Sequence, residues 1–200
     1  MNALRIMLAA LAGTLMAIAP QAWSQQNAFV RGTLTGFDGR ILSIKSRDGS
    51  DVKVELPDAI NVTTAKAFSL AEVKPGMVLA VTTIKRADGA TVAIDVRPLS
   101  ATARQGMSPY DLQPESTMTN AVLEGAVAQV PGGNELALNY QSGTVKVLVP
   151  PGTPMSQSAP GTRADLKPGE TIFVAVKPGD NGALVATRLQ VGKDGVRPTQ

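Results

Sequence analysis

The chain repeats itself at one fixed interval. Lys74-Pro75-Gly76 returns as Lys167-Pro168-Gly169, 93 residues later, and Gly32 returns as Gly125 at the same offset. Asp88-Gly89 returns as Asn181-Gly182, Ala93 as Ala186 and Val96 as Leu189. Self-similarity held at one period along a chain implies one small structural unit written twice. Residues common to both copies belong to the scaffold, so function is to be sought among residues that are not repeated.

Each copy reads as short strands joined by glycine turns. Gly39, Gly49 and Gly89 each follow Asp, and Asp194-Gly195 continues the pattern. Such dipeptides tolerate the positive φ of tight hairpins. Between the turns apolar and polar residues alternate. Val52, Val54 and Leu56 face one way and Lys53 and Glu55 the other, and Val145, Val147 and Val149 repeat this against Lys146 and Leu148. Val92, Ile94 and Val96 form a further stripe, matched by Val185, Thr187 and Leu189. A period of two predicts half-buried strands. They are expected at 29–37, 40–46, 51–56, 77–84 and 91–97, then at 122–130, 135–140, 144–149, 171–177 and 184–191.

The one helical signal in each copy lies between its third and fourth strands. Ser69-Leu70-Ala71-Glu72 is a capping-box pattern stopped at once by Pro75, and Thr162-Arg163-Ala164-Asp165 is its counterpart. Five short strands with a small helical turn in that place is the element order of an OB-type barrel. The expected fold class is therefore all-β, as two tandem five-stranded OB-like barrels spanning 25–100 and 121–200. An open five-stranded sandwich is the alternative. Lys-Pro-Gly lacks the glycines and following helix of a phosphate cradle, and is read as a type II turn leading into the fourth strand.

Residues 1–24 read as a secretory signal. Arg5 gives a positive start, Ile6 to Ala19 is apolar, and Ala22-Trp23-Ser24 sets small residues for cleavage near Ser24/Gln25. The run is shorter than the roughly 20 residues that span a bilayer, and no later segment reaches that length. A periplasmic protein with no membrane span after cleavage is expected. Without the signal the chain holds 18 basic and 16 acidic residues, split 10 and 8 over 25–100 and 7 and 6 over 121–200, so neither copy carries a charge block. Six scattered aromatic residues remain, which argues against nucleic-acid binding.

The chain contains no His and no Cys. Disulfides are excluded, as are the ligands of common zinc, copper and iron sites and the common nucleophilic dyads. Carboxylates such as Asp48, Asp51, Asp111 and Glu115 follow no calcium-loop spacing. Met77, Met107, Met118 and Met155 could offer thioether sulfur to cuprous copper, but they are not clustered in sequence and are read as fillers of irregular core gaps. No cofactor, metal or catalytic residue is assigned, and binding is expected instead of catalysis.

Residues 101–120 lack a strand pattern and hold Gly106, Pro109 and Pro114. They also hold apolar anchors, so an ordered linker packed on the barrels is expected. Met107, Tyr110, Asp111, Leu112, Thr117, Met118 and Asn120 are the candidate partner or ligand patch, at the junction where clefts between domains form. The plainer reading is that Tyr110 and Leu112 pin the linker, while the polar run satisfies backbone groups.

The ordered series Val30-x-Gly32, Asp38-Gly39, Val52-Lys53-Val54, Val73-Lys74-Pro75-Gly76 and Asp88-Gly89, repeated from Val122 to Val191, resembles an exported bacterial family of domains of unknown function with OB-like β-barrel repeats. Tyr110-Asp111-Leu112 and Ser116 to Asn120 resemble a segment of its two-repeat proteobacterial members. The resemblance implies fold and export without an activity. Some members carry the label of a metal ABC transporter permease, which this chain could match only as a soluble accessory. The expected function is that of a non-enzymatic envelope module holding a protein partner or small ligand, with an accessory of a metal or solute transport system as the alternative.

Overall fold

The structure, a computed structural model, describes Ala28–Pro198; the signal reading of residues 1–24 lies outside those residues. Thirteen strands follow in chain order. They are β1 (Ala28–Phe37), β2 (Ile41–Ser46), β3 (Asp51–Glu55), β4 (Val62–Ala67), β5 (Val78–Lys85) and β6 (Thr91–Pro98). Then come β7 (Gly106–Pro109), β8 (Thr117–Val130), β9 (Gly133–Tyr140), β10 (Gly143–Val149), β11 (Ser156–Pro160), β12 (Thr171–Pro178) and β13 (Leu184–Val191). The expected capped turns are single 3-10 turns at Leu70–Glu72 and Arg163–Asp165. Each acid accepts from its cap: Ser69 N–H donates to Glu72 at 2.9 Å and Thr162 N–H to Asp165 at 2.8 Å. No helix among the described residues is long and apolar enough to cross a membrane.

The strands close into two five-stranded barrels, as expected. The first runs β1–β2–β3–β13–β12 and back to β1, closing through the parallel pair β3–β13 at Val54↔Leu184. The second runs β8–β9–β10–β6–β5 and back to β8, closing through the parallel pair at Leu148↔Val92. Closure removes the edges that short hairpins leave exposed.

The assignment of one barrel to 25–100 and the other to 121–200 is overturned. Each barrel takes three strands from one copy and its closing hairpin from the other. The first core packs Leu34 and Val54 against Val174 and Leu189; the second packs Leu79 and Val96 against Leu138 and Val147. The reason lies in the connection after the third strand, where extra strands β4 and β11 occur. Their residues, Val-Thr-Thr-Ala-Lys-Ala and Ser-Gln-Ser-Ala-Pro, lack the apolar alternation that marks the other strands. They pair with each other in a ladder centred on Ala65↔Ser158, and these two residues are themselves 93 apart. The copies are thus related by a pseudo-two-fold axis through that pair, and each crossing strand carries its chain from one barrel to the other. Equivalent contacts recur on both sides: Leu189 pairs with Val62, and Val96 with Met155.

The Lys-Pro-Gly turns serve the same exchange. Gly76 and Gly169 have φ of 82° and 95°, and Met77 N–H donates to Lys74 O at 3.1 Å, as a type II turn requires. Gly76 N–H then donates to Leu123 O at 3.0 Å and Gly169 N–H to Leu34 O at 2.8 Å, each in the opposite copy. Arg163 adds a fastening. It donates to Gly39 O at 2.9 Å and Pro57 O at 3.0 Å, reaching from the second copy to the turns of the first.

The stripe Val92–Ile94–Val96 is also corrected. A bulge opposite Thr82/Thr83 puts Ala93 and Val96 in the core and leaves Ile94 only half-buried. The bulge recurs opposite Ala175/Val176, with Ala186 in the core. Bulges re-aim the side chains beside them. Here the scaffold repeats while its load does not: Ile94 and Asp95 in one copy stand where Thr187 and Arg188 stand in the other.

Candidate functional site at the inter-barrel junction

Arg31 on β1 lies beside Phe173 on β12 in the register of the first barrel. Its guanidinium sits 5.2 Å from the Phe29 ring centroid, 5.3 Å from Tyr110 and 5.3 Å from Phe173. Two nitrogens donate to the Asp111 carboxylate, each at 2.9 Å, and Nη2 donates to the Tyr110 hydroxyl at 3.0 Å. A planar fork that meets a carboxylate while stacked among rings is a task lysine cannot perform. Burial alone would lower the Arg31 pKa, but the hydrogen bonds and charge of Asp111 and Tyr110 leave it raised.

The linker is held from within by Ser116. Its hydroxyl stands 2.8 Å from the carbonyls of both Tyr110 and Gln113, and Tyr110 N–H donates to Ser116 O at 2.8 Å. The linker is accordingly ordered. It contains β7 and the start of β8, strands that its composition did not announce.

Asp95 faces the junction from β6 and is 2% exposed. Neither carboxylate oxygen has a hydrogen-bond partner among the described residues; Arg97 Nη1 comes no nearer than 3.7 Å. Burial raises the Asp95 pKa, partly offset by the charge of Arg97. An acid whose folded pKa is raised stabilises the fold fully below the ordinary carboxylate range, and that contribution is lost as pH rises through the folded value. Asp95→Asn is therefore expected to raise the melting temperature at pH 7.5, and by less at pH 4, near the ordinary carboxylate value. Thermal unfolding of both proteins at the two pH values checks this; a variant that melts lower at pH 7.5 would mean that the Arg97 attraction outweighs desolvation.

A cleft of about 450 Å³ opens here, with Ile94, Leu112, Met155 and Val196 on its apolar side and Asp95 in its wall. A recess of about 280 Å³ is lined by Arg31, Lys45, Arg47 and Arg197, with no acid among its lining residues. Arg47 and Arg197 line both spaces, so the two adjoin. Among the described residues, neither arginine has an acid within ion-pairing distance. The Arg47 pKa is lowered by burial and then by the charge of Arg31. A wider concavity of about 1310 Å³, lined by residues of β2, β3 and the turn between β12 and β13, differs in kind: it carries both acidic and basic side chains, and Arg40 pairs with Glu55 at 2.8 Å.

Six of the seven candidate residues fall into two groups. Tyr110, Asp111 and Leu112 lie at the junction, the first two on Arg31 and the third on the cleft. Met107, Met118 and Asn120 line a separate space of about 390 Å³ along β7 and β8. Thr117 begins β8, where its carbonyl accepts from the Thr83 hydroxyl at 3.4 Å. Met107 pairs with Thr119 and Met118 with Ser108, so pleating sends the two thioethers to opposite faces and they do not converge on one ion. Among the described residues, no three Asp or Glu side chains come together as a metal site.

The sequence reading missed Phe29, Arg31, Arg47, Asp95, Phe173 and Arg197. A signal was present for several of them in the breaks of the repeat. Arg31 stands where the other copy has Glu124, Phe29 where it has Val122, Phe173 where it has Ala80, and Asp95 where it has Arg188. Comparisons with family models, curated proteins and solved structures found no match for this chain.

Proposed function

We propose that this is an exported, non-enzymatic binding module of the bacterial envelope, which holds its ligand or partner at the junction between the barrels. One observation carries the reading: the residues that break the repeat converge there. Arg31 and Phe29 meet the linker residue Tyr110, Arg31 also holds Asp111, Phe173 packs on Phe29, and Asp95 lines the adjoining cleft with Leu112, although nothing in the symmetric scaffold requires charge at that place. Asp95 is buried with a raised pKa while Arg47, on the same cleft, has a lowered one, and groups perturbed in this way cluster where binding requires them. The cleft also suits the second reading, an accessory of a solute transport system, because it is of the size that encloses a small molecule.

The test compares what the parent protein and Arg31→Lys retain when each is recovered from the envelope fraction. Arg31→Lys keeps the charge but loses the fork, so the linker loosens at a cost of about 1–2 kcal/mol, Asp111 being half-exposed. The variant is expected to fold and to lose the bound small molecule or cross-linked partner. Equal retention by both proteins, or absence of the parent from the envelope fraction, would count against the reading.

A further inference from the structure

Building on the junction as the binding site, we infer that the cleft takes a small amphipathic anion: a carboxylate or phosphate head held between Arg47 and Arg197, with a short apolar tail lying against Ile94, Leu112 and Met155. The two spaces divide the work. The recess presents Arg31, Lys45, Arg47 and Arg197 without an acid, whereas the cleft beside it presents apolar side chains around Asp95. Arg47 and Arg197 belong to both, which places them where the head and the tail of a ligand meet.

Arg47 and Arg197 are exposed and, among the described residues, unpaired with any acid, so a ligand anion reaches them without breaking an existing ion pair. Guanidinium forks match carboxylate and phosphate oxygens two at a time. Arg31 is otherwise engaged, since Asp111 and Tyr110 hold its fork. Ile94, Leu112, Met155 and Val196 are only half-buried although they face one another around the cleft, and a tail would withdraw that surface from water. Asp95 sets the sign of the inner end. Among the described residues the Asp95 carboxylate has no hydrogen-bond partner, and although the charges of Arg97 at 3.7 Å, Arg31 and Arg47 act on it, a second anionic group carried into the cleft would lie against its negative charge. The ligand is therefore anionic at one end only.

Calorimetric titration of the protein with octanoate, octyl phosphate, suberate, octylamine and octan-1-ol tests each part. Octanoate or octyl phosphate is expected to bind one to one, with a dissociation constant on the order of 0.1 mM. The tighter of the two identifies the head group. Suberate is expected to bind more weakly than octanoate because of its second carboxylate, and octylamine and octanol not to bind. Arg47→Ser and Arg197→Ser, both at exposed positions, should each weaken binding about tenfold. Leu112→Trp, which fills the apolar side, should abolish binding while leaving the arginines in place, and circular dichroism confirms that each variant is folded.

Octanol or octylamine binding as tightly as octanoate would overturn the inference, as would anion binding indifferent to all three substitutions. Suberate binding as well as octanoate would remove Asp95 from it. If no probe binds but envelope capture still depends on Arg31, the ligand class is wrong and the junction reading stands. If capture is also indifferent to Arg31, both fall.

Discussion

Residues 28–100 expressed alone will not give a folded monomer. That segment holds β1 to β3 of the first barrel and β5 and β6 of the second, so no barrel within it is complete. Left single, it would expose Leu34, Leu42 and Val54 on one side and Leu79, Val81 and Val96 on the other, all of them fully or almost fully buried in the whole chain. Burying such a side chain is worth about 1.5–3 kcal/mol, so losing several removes most of a small domain's stability. The expected product is a homodimer, in which two β4 strands pair about Ala65 and each copy closes the other's barrel. It should melt at a temperature that rises with protein concentration. It should also be weaker than the native pairing, because Ala80 and Val96 replace Phe173 and Leu189 in the donated hairpin. Mixing with residues 101–198 should yield the more stable heterodimer. Light scattering with circular dichroism reads all of this, and a compact folded monomer of 28–100 would refute the exchange of hairpins.

Gly32→Ala is expected to cost at least about 3 kcal/mol, at the upper end for a single methyl group. A Cβ at Gly32 would stand 2.1 Å from the Lys45 carbonyl oxygen and 2.9 Å from the Ser46 Cα. Those atoms are backbone on β2, paired with β1 at Gly32↔Ser46, so no rotamer change relieves the clash and the ladder must open. Gly36→Ala on the same strand is the control. Its nearest neighbour would lie at 4.0 Å, and a change within about 0.5 kcal/mol is expected. Gly125, the repeat partner of Gly32, is a glycine for another reason: its φ is 67° and nothing lies within 4 Å of a Cβ there. Gly125→Ala should therefore cost only about 1–2 kcal/mol. Denaturant unfolding of the three variants gives the order directly; equal costs at Gly32 and Gly36 would contradict the close approach of the two strands.

That pair of glycines shows how far a repeat can be read. Its recurrence marks both positions as structural, but the physical demand at each depends on what lies opposite. The alternation of Val52, Val54 and Leu56 was legible because pleating acts over two residues and needs no distant partner. The stripe through Ile94 was misread because the bulge is set by the pairing of β6 with β5, not by β6 alone. Tyr110 and Asp111 stood out as unusual for a linker, yet their partner Arg31 lies some 80 residues earlier and carries no local sign of its role. Asp95 stands in the sequence as one polar residue between Ile94 and Val96, and nothing within a few residues of it announces that its carboxylate is buried.

From the chain itself came the duplication, the strands with apolar stripes, the Lys-Pro-Gly and capped turns, and closure of five strands into a barrel. All of these follow from interactions within a few residues or from the need to leave no edge exposed. Which hairpin closes which barrel was left to the tertiary structure. In a duplicated chain, the exchanged and unexchanged arrangements join equivalent strands through nearly the same residues at each contact, so local pattern does not separate them. The connection decides. β4 and β11 are extended and pair with each other across the axis, which sends each closing hairpin into the opposite barrel and brings Arg31, Asp95 and Tyr110 to one junction.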